Sequence, residues 1–122
     1  MITELVKRLN PLFNDKVYPT NAPEGEKPNY LVYQYKESET KSLEGYEGLL
    51  ITDIVLNAMT KSFKEANDKS KVLKALLLEI DRTKIGDYLI QEVTFDQIEI
   101  IYENELKIYR AIVPATIYFE EE

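Results

Sequence analysis

The chain has 122 residues and a formal net charge of −7, and it contains neither cysteine nor histidine. Disulfide frameworks, thiolate or imidazole zinc sites, and every Ser-His or Cys-His catalytic pair are thereby excluded. With 44% apolar and 30% charged residues, the composition is that of one folded domain, residues 1–122, that buries roughly two-thirds of its extended surface. The negative excess argues against a protein that grips nucleic-acid phosphates directly, because such affinity comes mostly from Lys and Arg.

At the N-terminus, Ile2, Leu5, Val6 and Leu9, followed by Leu12 and Phe13, recur at three- and four-residue spacing and predict a short amphipathic helix. It should stop or kink near Asn10, since Pro11 cannot donate to the preceding turn, and Asn10-Pro11 can open one further turn. The charged start, "MITELVKR", does not read as a signal peptide, and no stretch approaches the roughly 20 apolar residues of a membrane span. A short extended "KVYP" then meets Pro19, and a loop rich in proline and glutamate follows.

Residues 29–36, "NYLVYQYK", are aromatic and β-branched, which predicts a strand. Two candidate core sets remain open there, Tyr30 with Val32, and Leu31 with Tyr33 and Tyr35. Residues 37–48, "ESETKSLEGYEG", read as a long polar loop, too long for a tight hairpin turn. In "LLITDIVLNAMT", residues 49–60, Leu50, Ile54, Leu56 and Ala58 share one face of a strand, and Ile51, Asp53, Val55 and Asn57 the other.

Ser62 and Glu65 form a capping box that opens a helix over about 62–80, with Phe63, Ala66, Ser70, Leu73, Leu77 and Ile80 as its buried stripe. The remainder predicts two strands joined by a turn near Glu103-Asn104-Glu105. In the last strand Tyr109, Ala111, Val113, Ala115, Ile117 and Phe119 alternate toward the core, while Pro114 marks an edge or a break. The order predicts an α+β fold: a small, mainly antiparallel four-stranded sheet with the N-terminal helix and the second helix packed on one face.

Covering one face leaves Ile51, Val55, Ile112 and Tyr118 on the other, interspersed with Asp53, Asn57, Arg110 and Thr116. Such a half-apolar surface marks an association site unless a loop covers it. Asp53 and Arg110 are mid-strand charges that pair with each other, pair across a subunit boundary, or are simply solvated. Glu44 and Glu47, flanking Tyr46, are a carboxylate pair without any sign of enclosure, so acid-base chemistry is not expected. No phosphate-cradling glycine pattern and no EF-hand spacing is present, and no metal or cofactor is expected.

The chain resembles the tail-completion (tail-terminator or head-to-tail joining) proteins of long-tailed bacteriophages. The resemblance lies in the N-terminal helix, "VYP" at 17–19, "AP" at 22–23 with Gly25, and "PNYLVYQ" at 28–34. It continues through the loop with Gly45 and Gly48, the strand "ITDIVLNAMT", the helix with "SFKEANDKSKVLKALL", and the closing "YRAIVPATIYFEE". It implies a non-enzymatic virion protein, made in the host cytoplasm, whose copies form a ring, commonly of six, at the head-proximal end of the tail. Its partners would be further copies of itself, the tail tube protein and the head-tail connector proteins, with no membrane involved. Glu44, Tyr46, Glu47, Ile51, Asp53, Val55, Arg110, Ile112 and Tyr118 are the candidate contact residues. A different class of function, a small acidic phage-encoded inhibitor mimicking nucleic acid, follows from the eight acids between Glu92 and the C-terminus, against only Lys107 and Arg110 there. Glu99, Glu103 and Glu105 would carry it.

Overall fold

Helix α1, Ile2–Leu9, presents Leu5 and Leu9 inward. It runs straight into one 3-10 turn, Asn10–Phe13, that carries the proline near its start and buries Phe13. In the computed structural model, which describes residues 1–39 and 49–121, the strands that follow are β1 (Val17–Pro19), β2 (Tyr30–Glu39) and β3 (Leu50–Thr60). After helix α2 (Phe63–Ile80) come β4 (Lys84–Ile85), β5 (Tyr88–Phe95), β6 (Glu99–Glu103) and β7 (Ile108–Glu121).

These strands make one seven-stranded mixed sheet, in the order β1-β2-β3-β7-β5-β4, with β6 also on β7. The sheet is curled into a half-barrel. The expected small four-stranded antiparallel sheet is thus corrected in three places. The segment "VYP" becomes an edge strand parallel to β2, and Lys84-Ile85 pairs with β5. The penultimate strand is two, β5 and β6, laid end to end along β7. Strands of two or three residues have too little composition of their own to be read; they exist because a longer neighbour offers them a ladder. Residues 37–39, expected in a loop, also belong to β2, where they pair with Leu50, Ile51 and Thr52.

Pro114 lies in the interior strand β7, not at an edge, and the break in the neighbouring strand explains how. Its carbonyl accepts the Asp96 N–H at 3.1 Å, so the ring nitrogen of the same residue faces the same way. On that side the ladder passes from Ile112 opposite Glu99 in β6 to Ala115 opposite Phe95 in β5. The missing donor falls in the gap between them.

The core lies on one side of the sheet. Leu31, Ile54, Leu56, Ala58, Ala111, Val113, Ile117 and Phe119 pack there with Leu5, Leu9 and Phe13 from the N-terminal helix and with Ala66, Leu73, Leu77 and Ile80 from α2. Leu31 and Tyr33, not Tyr30 and Val32, are the β2 residues of this core, while Tyr35 and Phe63, expected with them, are exposed, Tyr35 in the part of β2 beyond β1 and Phe63 at the first turn of α2. Ser62 caps α2 by accepting the Glu65 N–H at 3.1 Å, and Glu65 reaches back to the Lys61 N–H at 3.3 Å. Helix α1 lies over the β4–β5 turn: a Cβ on Gly86, whose φ is +56°, would sit 3.0 Å from the Glu4 side chain. The Lys69 ammonium bonds the Leu12 carbonyl at 2.7 Å and lies over the Phe13 ring, tying α2 to the N-terminal segment.

Replacing the cap, Ser62→Ala, should lower the unfolding free energy by about 1 kcal/mol. Leu73→Ala, which empties a fully buried site, should cost about 2–5 kcal/mol. Urea denaturation with an unchanged m-value checks both, and equal losses would contradict this packing.

Candidate functional site

The face opposite the helices is built by strand alternation alone. Across the β3–β7 ladder, Ile51 stands opposite Tyr118, Asp53 opposite Thr116, Val55 opposite Pro114, Asn57 opposite Ile112 and Met59 opposite Arg110. Residues directly opposite share a face, so Ile51, Asp53, Val55, Arg110, Ile112 and Tyr118 all lie on this outer side. Ile51, Val55, Ile112 and Tyr118 are half-buried, and Asp53 is exposed. Glu44, Tyr46 and Glu47 fall outside the described residues.

Asp53 and Arg110 do not pair with each other. Asp53 accepts the Thr116 hydroxyl at 2.7 Å. Arg110, well along the strand from it, donates its Nε to Asn57 Oδ1 at 2.9 Å and one terminal nitrogen to Glu103 at 3.0 Å. Asn57 is fully buried and passes the connection on, donating to the Val32 carbonyl at 3.2 Å. The guanidinium is therefore a bracket joining β2, β3, β6 and β7, with its charge answered by Glu103.

One end of the outer face is covered by the proline-and-glutamate loop. Tyr18 and Ala22 pack against a second apolar cluster of Tyr30, Val32, Met59 and Ile108. The loop is fastened by Glu26, which accepts the Tyr18 hydroxyl, pairs with the Lys16 ammonium at 3.2 Å and takes the Lys27 N–H at 3.0 Å. The hydrogen bond from Tyr18, then the Lys16 ammonium, hold the Glu26 carboxyl below the usual carboxylate range. The same hydrogen bond raises the Tyr18 phenol. Sequence reasoning missed this clasp; the only available hint was an acid eight residues after a tyrosine across a turn.

Two hollows mark the surface. One, of about 330 Å³, lies beside Gln34, Lys36, Asp53, Val55, Pro114 and Thr116. The other, of about 470 Å³, lies between the loop and Tyr30, Met59, Leu106 and Arg110. Among the described residues no group of three or more acidic side chains gathers as a metal would require, and no helix is long and apolar enough to cross a membrane. The arrangement offers shape and apolar area for a macromolecular contact.

Arg110→Ala should cost about 1–3 kcal/mol, because it strips the donor from a buried amide oxygen. Asp53→Ala, at an exposed position, should stay within about 0.5 kcal/mol; denaturation midpoints compare the two. For the clasp, a folded-state pKa lowered at Glu26 means its stabilisation is present above the ordinary carboxylate range and is lost as the pH falls through the depressed value. An NMR titration of the Glu26 carboxyl should show its midpoint rising in Tyr18→Phe, and no movement would refute the clasp.

No protein-family model matches the sequence, and no curated protein matches it. Among solved structures, a chain described as "Virion of native gene transfer agent (GTA) particle" is similar to this one with a TM-score of 0.68. The identity is 14%, and the superposition covers 92% of this chain and 84% of that one. Over nearly its whole length, the chain therefore shares its fold with a chain of that particle.

Proposed function

We propose that the protein is a structural component of a phage-like virion and, more narrowly, a subunit of the ring that ends the tail at its head-proximal side and joins it to the head. The observation that carries this reading is the fold shared over 92% of the chain with a chain of a gene transfer agent virion. The order of elements that resembles tail-completion proteins, and the half-apolar outer face with Ile51, Val55, Ile112 and Tyr118, support the narrower form. The protein acts through contacts and not through catalysis. Its partners are other copies of itself, six in a ring, the tail tube protein and the head-tail connector proteins. The acidic-mimic alternative is not favoured by any specific contact, and Glu103, one of its three acids, is bonded to Arg110.

Deleting the coding sequence from the producing phage or element should leave heads and tails that fail to join, visible by electron microscopy. Val55→Asp with Ile112→Asp, which charges the outer face without entering the core, should give folded protein that does not restore joining. Normal joined particles in the deletion would sink the proposal.

A further inference from the structure

Short segments of the chain line parts of the sheet's longer edges. β1 covers the first part of β2, β4 pairs with the start of β5, and the segment after α2 holds the rest of that edge. There the Ile90 N–H bonds the Thr83 carbonyl at 2.7 Å and the Val93 N–H bonds Asp81 at 3.0 Å. β1 and β4, of three and two residues, are themselves outermost in the sheet, and two further stretches have one strand neighbour only among the described residues. β2 beyond Tyr33 pairs only with β3, and β6 pairs only with β7.

The direction of the unpaired groups follows from the bonds that are made. The Leu31 N–H bonds the Lys16 carbonyl and the Tyr33 carbonyl accepts the Thr20 N–H, so odd-numbered residues of β2 face outward. Along the unbroken β2 register, Tyr35 and Glu37 then present free N–H and C=O groups. On the other side, the Pro114 carbonyl faces β5 and β6. Ile112 and Arg110 alternate with it toward Glu99 and Ile101, which leaves Ile100 and Tyr102 facing outward. Tyr35 and Glu37 on one edge, and Ile100 and Tyr102 on the other, are thus pairs of outward residues separated by one inward residue, and the β2 edge runs on to Glu39.

We propose that these edges pair with each other between neighbouring copies, β2 of one protomer against β6 of the next, in an antiparallel, head-to-tail contact that continues the sheet. β2, β3, β7 and β6 alternate in direction, so a like-oriented second copy brings its β6 antiparallel to β2 by rotation alone. The pleat agrees: Tyr35 is on the face of Tyr33, which is in the core set, and Tyr102 is on the face of Ile100, which packs against that core. Matching outward groups sets Tyr35 opposite Tyr102 and Glu37 opposite Ile100, with Lys36 opposite Ile101 between them.

Charge favours this pairing over the symmetric ones centred on Ile101 or Lys36. In it, Lys36 lies diagonally between Glu99 and Glu103, and no acid faces an acid. Pairing β6 with a second β6 about Ile101 would set Glu99 against Glu103 twice, and pairing β2 with β2 about Lys36 would set two lysines face to face. Like charges directly opposite destabilise a ladder. A heterologous contact of this kind closes into a ring when the rotation per copy permits and otherwise propagates as a filament. The closed form rests on the ring reading above; the edge contact itself rests only on the open ladders.

The chain has no cysteine, so engineered thiols are unique. Lys36 and Ile101 are both exposed and would form a non-hydrogen-bonded pair with Cα atoms about 4.5 Å apart, within disulfide reach. Mixing Lys36→Cys with Ile101→Cys protein under mild oxidation should give the mixed dimer in preference to either homodimer, and the double variant should give a ladder of cross-linked oligomers. Glu37→Pro removes one outward N–H while leaving the β3 ladder intact, and should abolish the cross-link with the monomer still folded. Oligomers by native mass measurement without the mixed cross-link would overturn the edge assignment and leave the ring reading standing. Homodimers in equal yield, or neither oligomer nor cross-link at high concentration, would also overturn it. Whether heads and tails join in the deletion particles judges the virion reading separately.

Discussion

The register between β3 and β7 is the constraint on which the remaining structure depends. Along all 11 residues of β3, each core residue is paired with a core residue and each outer residue with an outer one. Ile54 faces Ala115, Leu56 faces Val113, and Ala58 faces Ala111. A slip by one residue would turn every one of these side chains to the opposite side. The helices depend on it as well. Leu73, Leu77 and Ile80 of α2 find their partners only because Val113, Ile117 and Phe119 stand on the same side.

The same alternation that makes the core leaves the outer face half apolar, and two devices divide that face. At one end the clasp of Glu26 draws a loop over Tyr30, Val32 and Met59. Next to it, the Arg110–Asn57 bond spends the one cation of the outer β7 row inside the sheet. What stays accessible is the stretch from Ile112 toward Tyr118 and Ile51, where Asp53 is joined by Lys36, Glu92 and Glu99, each directly opposite a residue of this face. A contact there would gain from burying Ile51, Val55, Ile112 and Tyr118, and would need partners for the charges set among them.

Features set by near neighbours in the chain were legible in the sequence. The Ser62–Glu65 capping box and the three-four spacing through Ile80 place α2, and strict alternation over residues 109–119 gives both faces of β7. The side-by-side position of Ile51, Val55, Ile112 and Tyr118 follows from the same periodicity. What stayed hidden depends on distant partners. β1 and β4 are defined by the strands they meet, the division of β5 from β6 by Pro114 across the sheet, and the fate of the proline-rich loop by a tyrosine that precedes it. Arg110 and Asp53 could be assigned to one face from the sequence, yet their partners, Asn57 and Thr116, depended on the register between two strands more than fifty residues apart.

Pro114 has a consequence for how faithfully the sheet assembles. Alternating hydrophobicity opposes slips of one residue but is blind to slips of two, which return every side chain to its proper side. The imino nitrogen is not blind to them. It is tolerated opposite the break between β5 and β6, and any two-residue shift of those strands along β7 would set it against a carbonyl that needs a donor. One residue without an N–H thus acts as a locating pin, rejecting the misalignments that the pattern of apolar side chains would accept.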